Sequence, residues 1–379
     1  FPYTTLFRST LLYAFITKRK IPAYLGSSFA FISPVLLLYG QGYDFQTIQG
    51  GFVLVGVVFS IIAIIVGYIG IGWINKLFPP AAMGSIITLI GLELAGTAAD
   101  MAGFPVGGSN SPTLNVSWVI VSMVTLLTVI LCNVLLRGFL KVIPLLIGVI
   151  VGYITSYFMG IVDFSLVSNA SFFVLPNIKI AHFNINAILT ILPATFVVIA
   201  EHVGHLKVTS SIVGKDFLED PGLHRSLLGD GLSTIVSGMF GSVPTTTYGE
   251  NIGVMALTKI YSVYIICGAG LISIILGFSG KMSALIRTIP TPVIGGVSFL
   301  LFGTIAVSGL RTFIEEKVDF SKSRNLILSS VIFIVGISGI TLTMGSFEIT
   351  GMGLATIVAI ILNLSFIIFD KLGLMNEKE

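Results

Sequence analysis

The sequence predicts an all-α polytopic membrane protein, because of its composition and the length and number of its apolar runs. Of 379 residues, 55% are hydrophobic and 10% are charged, whereas soluble domains carry about 25% charged residues. The mean hydropathy is +1.02. Apolar runs of about 17–25 residues, the length of a helix that crosses a bilayer, recur along the chain. A β-barrel would instead show short segments of alternating polarity.

The apolar runs divide the chain into thirteen expected spans. We expect them at about residues 10–17 (half a span), 22–38, 48–71, 78–97, 116–136, 141–161, 185–206, 226–241, 244–257, 259–279, 290–309, 324–341 and 350–369. If loops alternate sides, 16 Lys and Arg residues fall on one side and three on the other, with Arg8 set aside. The first side is then cytoplasmic. On this count Lys215 and Lys378 are cytoplasmic, and the loop around Gly107 and Gly108 is external.

The first nine residues, FPYTTLFRS, differ from the rest of the chain. They resemble translated adapter sequence, so we expect them to be non-native and leave them out of the fold prediction. We also expect the native start, including the first span, to be missing. Cys132 and Cys267 lie within apolar spans, so neither a disulfide framework nor a cysteine metal site is expected. The sequence shows no basic patch of the kind that binds nucleic acid.

The chain contains two pairs of similar segments. FPPAAMG (78–84) resembles IPTPVIGG (289–296), and PAYLGSSFAFISP (22–34) resembles GSVPTTTYGENIG (241–253). Seven predicted spans separate the members of each pair. Because seven is odd, the partners cross the membrane in opposite senses, which indicates an inverted repeat.

The second pair predicts two broken spans. Both segments are short, rich in small residues and bounded by Gly or Pro, and both contain residues that favour strands. Each is expected to form a short extended stretch followed by a half-helix. The two strands would pair and satisfy each other's backbone groups, which is necessary inside a membrane. The free N–H groups at the half-helix N-termini would face a ligand.

Ionisable residues within apolar runs are the candidate site. Glu201 and His205 are four residues apart and share one helix face. A buried carboxylate beside an imidazole is able to share or pass a proton. Intramembrane ionisable groups are costly and usually functional. His202 lies about 100° around the helix and is interpreted as structural.

Glu250 follows Gly249 at the predicted strand-to-helix break. It is either a simple helix cap or an acceptor for a ligand, and its position within the membrane region favours the ligand. Glu93 and Asp230 lie nearer to predicted span ends, so they are interpreted as structural or gating residues. Two carboxylates, free backbone N–H groups and an aromatic ring from Phe29 or Phe31 suit a planar ligand that has both N–H donors and C=O acceptors. A nucleobase meets this description, and so do other small cyclic amides.

The longest diagnostic stretches closely resemble the nucleobase–cation symporter family, also called nucleobase–ascorbate transporters. They are KIPAYLGSSFAFISPVLLL, LFPPAAMG, ILTILPATFVVIAEHVGHL, DPGLHRS and TYGENIGVMALTK. The similarity covers residues 10–370, and ENIGVMALTK (250–259) matches the family signature.

The resemblance implies fourteen spans in a 7+7 inverted repeat, with the first span missing here and two short intramembrane strands in spans 3 and 10. A core domain would comprise residues 10–75 (spans 2–4) and 185–280 (spans 8–11). A gate domain would comprise residues 76–184 (spans 5–7) and 281–379 (spans 12–14 and the C-terminal tail).

The resemblance also implies a site and an activity. The residues that match substrate contacts are Phe29, Glu201, Tyr248, Gly249 and Glu250, and the residues that match proton coupling are Glu201 and His205. The implied activity is proton-coupled uptake of uracil by alternating access across the bacterial inner membrane, with no enzymatic step, metal or cofactor other than the proton gradient. The alternative is symport of a related nucleobase such as xanthine or uric acid. The implied partners are the nucleobase, protons, membrane lipid and a second copy bound through the gate domain.

Two rival classes remain open from the residues. EHVGH gathers Glu and two His residues, as an intramembrane metalloenzyme would, but its histidines are three apart, not four as in zinc proteases. An anion channel or exchanger would share the inverted architecture. Two acids facing the site argue against an anionic substrate.

Overall fold

A computed structural model describes residues 3–107, 113–175, 178–344 and 347–375. The expectations for residues 1–2, Gly108 and Lys378 lie outside this part of the chain. The helices are α1 Tyr3–Ile16, α2 Ile32–Gly40, α3 Phe45–Ile69, α4 Gly72–Leu77, α5 Pro80–Glu93, α6 Ala95–Met101, α7 Val116–Leu135, α8 Pro144–Phe158, α9 Ser165–Asn169, α10 Ile185–Ile191, α11 Pro193–Val213, α12 Leu223–Met239, α13 Gly249–Thr258, α14 Val263–Gly277, α15 Gly280–Arg287, α16 Thr291–Glu315, α17 Ser323–Ile337 and α18 Gly351–Lys371. The strands are β1 Leu25–Ser27, β2 Thr245–Thr247, β3 Thr341–Met344 and β4 Phe347–Thr350.

The protein is a mostly helical, multi-pass membrane protein, as the composition predicts. Within the described residues, six helical stretches are long and apolar enough to cross a bilayer. They are Phe45–Ile69, Pro80–Met101, Val116–Leu135, Ile185–Val213, Thr291–Glu315 and Gly351–Lys371. Four shorter apolar helical stretches are Phe29–Gly40, Pro144–Phe158, Val263–Gly277 and Ser323–Ile337.

Some predicted boundaries differ from the structure. The first helix begins at Tyr3 rather than near residue 10. The single span expected at 185–206 extends to Val213 and has a local break before Pro193, which begins α11, because proline lacks an N–H group and suits the first helical position. The β3–β4 hairpin was not expected at all. It pairs Leu342 with Ile349 in antiparallel register, and Glu348 accepts a hydrogen bond of 2.8 Å from Gln41.

The chain forms two compact units. One comprises Phe1–Ile90, Pro176–Ile275 and Ser308–Glu379, and the other comprises Gly91–Leu175 and Leu276–Val307. In the first unit α3 packs along α12, where the Gln49 amide donates to the Gly238 carbonyl over 3.1 Å. In the second unit α7 packs along α8. The predicted site residues all lie in the first unit.

The two short segments predicted to be broken each contain a strand, and these strands pair. β1 and β2 are antiparallel, with Leu25 opposite Thr247 and Ser27 opposite Thr245. The pairing continues on both sides, because Ser28 N–H donates to the Pro244 carbonyl and Tyr248 N–H donates to the Tyr24 carbonyl, each over 3.1 Å. The backbone groups that the two broken helices leave unpaired are therefore partly satisfied by each other.

Candidate substrate site

Helix α11 presents Glu201 and His205 on one face, as their spacing predicts. Glu201 Oε1 and His205 Nε2 are 4.0 Å apart, which is too long for a hydrogen bond, and both side chains are mostly buried. Glu201 Oε2 is buried and has no hydrogen-bond partner among the described residues. A carboxylate oxygen in this state is a strong acceptor that lacks a donor. Glu201 therefore has the chemistry of a group that receives an N–H from a ligand.

His205 connects α11 to the paired strands. Its Nδ1 lies 3.3 Å from the Thr247 hydroxyl of β2. Two residues further on, Gly249 begins α13, and a Cβ at that position would lie only 3.0 Å from His205 Nε2. Such a contact is tighter than nine in ten real Cβ contacts. A glycine at 249 therefore permits the imidazole to lie against the start of α13.

The start of α13 exposes donor groups at the break. Its cap residue Tyr248 makes no side-chain capping bond, and the first N–H groups of any helix lack partners within the helix. The Tyr248 hydroxyl lies 3.1 Å from the Ser27 hydroxyl of β1. Glu250 occupies the first turn and is exposed. Its carboxylate complements the positive end of the helix dipole and is accessible to a ligand from outside the protein core.

The aromatic candidates from the first broken segment have different environments. Phe31 is only 3% exposed and makes an edge-to-face contact with Phe52, with 6.2 Å between ring centroids. It therefore belongs to the core. Phe29 is half-buried at the start of the short 3₁₀ turn Phe29–Phe31, so it is the more exposed of the two rings.

A small cavity lies beside the strand pair. Its lining includes Tyr13, His202, His205, Thr247 and Tyr248. The other predicted site residues, Phe29, Glu201, Gly249 and Glu250, do not line it. The structure thus brings His205, Tyr248 and Gly249 together around β2, with Glu201 on the same helix face as His205.

The position of Asp230 differs from the one that the sequence predicts. Asp230 was expected near a span end, but it lies near the middle of α12 and is 1% exposed. His202, which was interpreted as structural, lies beside it. His202 Nδ1 is 3.0 Å from Asp230 Oδ2, and neither side chain is exposed. One sequence feature points to this arrangement. Ser226 and Asp230, which both contact His202, are four residues apart and therefore share one face of α12.

Two paired, interrupted segments with acids beside them are typical of helical membrane transporters, not of enzymes. The family model Xan_ur_permease, described as "Permease family", matches residues 8–345, and the chain belongs to this family. The resemblance noted in the sequence is thereby confirmed.

Curated relatives in this family are similar over most of their length. A uracil permease of Paenibacillus larvae is 55% identical over 97% of this chain and 87% of its own. The uracil permease of Escherichia coli is 57% identical over 94% of this chain and 82% of its own. That of Bacillus subtilis is 46% identical over 94% and 83%, respectively.

Solved structures share the fold at low sequence identity. The anion transporter SLC26A9 of mouse, in its inward-facing state, has a TM-score of 0.67 at 13% identity, covering 97% of this chain and 63% of its own. The membrane domain of the cyanobacterial bicarbonate transporter BicA has a TM-score of 0.59 at 13% identity, covering 96% and 93%, respectively. At this level of identity the likeness establishes the fold alone.

Proposed function

We propose that this protein imports uracil together with protons by alternating access across the bacterial inner membrane. The observation that carries the proposal is the identity of 46–57% with three curated uracil permeases over at least 94% of the chain. The membrane domain of a bicarbonate transporter has the same fold, but only 13% identity. The substrate is therefore inferred from the relatives and from the site chemistry, not from the fold.

The site chemistry supports a neutral cyclic amide. Uracil carries two ring N–H donors and two carbonyl acceptors. The unpartnered oxygen of Glu201 supplies an acceptor for one N–H group, and Glu250 supplies another. The free N–H groups at the start of α13 suit a carbonyl, and the Phe29 ring would cover the base. An anionic substrate would be repelled by the two carboxylates.

The proposed architecture is a 7+7 inverted repeat in which the β1–β2 pair lies at membrane depth. Core residues 10–75 and 185–280 would carry the substrate, and gate residues 76–184 and 281–379 would complete the path and form a homodimer contact. Membrane lipid would surround both. The exposed large apolar side chains of α3, α7 and α14 agree with a lipid environment.

The substrate test is direct binding of uracil, xanthine and uric acid to the purified protein. We expect uracil to bind most tightly, because the curated relatives are named uracil permeases. Uptake into proteoliposomes should rise when an inward proton gradient is applied and fall when the gradient is collapsed. Preferential binding of xanthine or uric acid would replace uracil with the alternative substrate. Uptake that does not change with the proton gradient would contradict the proposed proton coupling.

Proton coupling is assigned to His205 and Glu201. His205→Ala should retain uracil binding and counterflow exchange but lose accumulation driven by a proton gradient. Exchange needs only the loaded carrier, whereas net uptake requires the empty carrier to release its proton and return. His182→Ala is the control, because His182 is exposed and lies outside the site. Full proton-driven accumulation by His205→Ala would leave Glu201 as the proton carrier.

A further inference from the structure

Four buried polar side chains contact one another in series beside the candidate substrate site. The Tyr13 hydroxyl lies 2.6 Å from the Ser226 hydroxyl, and Ser226 Oγ lies 2.7 Å from His202 Nε2. His202 Nδ1 lies 3.0 Å from Asp230 Oδ2. Tyr13, Ser226 and His202 are 0% exposed and Asp230 is 1% exposed. Such groups are expensive to bury unless they satisfy one another.

These contacts determine the orientation of the His202 ring. His202 Nδ1 faces Asp230 Oδ2 at ion-pair distance, without the geometry of a hydrogen bond. The opposite nitrogen of the ring faces Ser226. Because each ring nitrogen has its own partner, rotation of the imidazole by half a turn would break both contacts. The hydrogen bond of Nε2 with Ser226 and the approach of Nδ1 to Asp230 therefore favour one orientation of the ring.

The partners of His202 lie on two other helices. Tyr13 belongs to α1, and Ser226 and Asp230 belong to α12. Helix α12 also holds β2, because the Thr234 hydroxyl accepts from Thr245 N–H over 3.1 Å and lies 3.2 Å from the Thr245 carbonyl oxygen. One rigid helix is thus connected to the strand on one side and to α11 on the other.

His202 directly follows Glu201 in α11, and His205 is three residues further along. A rotation of α11 about its axis moves all three side chains together. The contacts of His202 with α12 therefore also determine where the Glu201 carboxylate and the His205 ring point. The cavity that His205, Thr247 and Tyr248 line is lined by Tyr13 and His202 as well, so this chain of contacts borders the site.

We infer that Tyr13, Ser226, His202 and Asp230 form a positioning network that fixes the rotation of α11 against α12 and β2, and so holds Glu201 and His205 at the substrate site. The substrate readout rests on the proposed uracil transport. None of the four side chains is required to touch the substrate. The network acts through Glu201 and His205.

The test compares two serine deletions on the same helix. Ser226→Ala removes a hydroxyl from the network. Ser233→Ala removes an equally buried hydroxyl that donates to the Ser9 carbonyl of α1 over 3.1 Å and lies outside the network. Ser226→Ala loses two buried hydrogen bonds, to Tyr13 and His202, and Ser233→Ala loses one. Both variants should therefore lose thermal stability, Ser226→Ala more than Ser233→Ala. Only Ser226→Ala should weaken uracil binding, by roughly five- to tenfold.

Two further variants separate positioning from general stability. Ser226→Thr retains the hydroxyl and should restore most of the binding. Tyr13→Phe retains the buried ring and should weaken binding in the same direction as Ser226→Ala. If Ser226→Ala and Ser233→Ala bind uracil equally well, the network has no positioning role.

A second measurement requires no substrate. Hydrogen–deuterium exchange of the α11 backbone around residues 201–205 should rise at least tenfold more in Ser226→Ala than in Ser233→Ala. If the wild-type protein fails to bind uracil, the proposed function fails, and this exchange measurement still decides the inference. Equal exchange in the two variants would overturn it.

Discussion

The two broken segments share a backbone design but differ in their chemistry. In each, a helix ahead of the strand supplies a threonine that bonds the backbone of the first strand residue. Thr10 of α1 accepts from Leu25 N–H over 3.0 Å, and Thr234 of α12 accepts from Thr245 N–H over 3.1 Å. Residues 25–40 contain no charged side chain, whereas Glu250 occupies the corresponding start of α13.

In the proposed inverted repeat, the two segments share a scaffold and differ in the groups that would contact a ligand. Both strands are needed, because each satisfies the backbone groups of the other. One small ligand needs only one set of acceptors, and in the proposed site these come from the second segment and from α11. The first segment supplies Phe29 and the close approach of Gly26. Changes to the second segment and α11 should therefore affect binding more than changes to the first.

The largest effect is expected on α11. Glu201→Gln replaces an acceptor oxygen with a donor at a buried position, so uracil binding should weaken by about 1–3 kcal/mol, or about 5- to 150-fold in Kd. Proton-driven uptake should be lost together with binding. Isothermal titration and proteoliposome uptake measure the two effects. Glu219→Gln, at an exposed carboxyl in the short π-helical turn before α12, is the control. Wild-type affinity in Glu201→Gln would remove Glu201 from the substrate contacts.

A direct comparison of the two segments comes next. Glu250→Gln should weaken uracil binding by about tenfold or more, because the new amide faces a ring N–H with a donor. Phe29→Leu keeps an apolar side chain and loses only the aromatic contact, about 0.5–1.5 kcal/mol. Both are measured by competition with labelled uracil. If Phe29→Leu proves the more damaging, the first segment contributes more to the site than its lack of charge indicates.

The contact between the segments should produce a smaller, coupled effect. A Cβ at Gly26 would overlap the Tyr248 ring, so Gly26→Ala should displace that ring and weaken binding by roughly threefold to tenfold. In a Tyr248→Ala background the same substitution should have little further effect, because the obstructing ring is gone. The double-mutant cycle is measured by equilibrium binding. Additive effects in the cycle would show that Gly26 acts independently of Tyr248.

The smallest effect on stability is expected outside the site, at the contact between Lys20 and Asp220. Lys20 precedes β1 and donates to the Asp220 carboxylate, which precedes α12. The Lys20 hydrogen bond holds the pKa of Asp220 below its ordinary value of 3.8. The contact therefore contributes stability above the ordinary pKa of the carboxyl group and loses it as pH falls through the lowered, folded-state value.

Asp220→Asn should accordingly lower the melting temperature slightly at neutral pH, and the difference from wild type should disappear in acid. Both side chains are substantially exposed, so the effect should also shrink in high salt. Thermal unfolding across pH and salt measures it, with uracil binding expected to stay unchanged. A binding defect of the size predicted for Glu250→Gln would show that this contact shapes the site.

The sequence by itself determined the features that depend on short windows of the chain. Apolar run lengths predict the spans, because a bilayer imposes a minimum helix length. Four-residue spacing put Glu201 and His205 on one helix face, because 3.6 residues make one turn. The Gly and Pro residues that bound residues 22–34 and 241–253 located the two broken segments.

Only the tertiary structure decided which distant groups meet. Ser226 lies between Tyr13 and His202, which are 213 and 24 residues away from it in sequence, and no local pattern encodes those separations. The burial of Phe31 has the same origin, because its ring packs against Phe52 of another helix. The β3–β4 hairpin carries mixed side chains within a loop, so it has no clear period. Local periodicity arises from the geometry of a single helix, whereas these contacts arise from the packing of several helices, and packing depends on the whole fold.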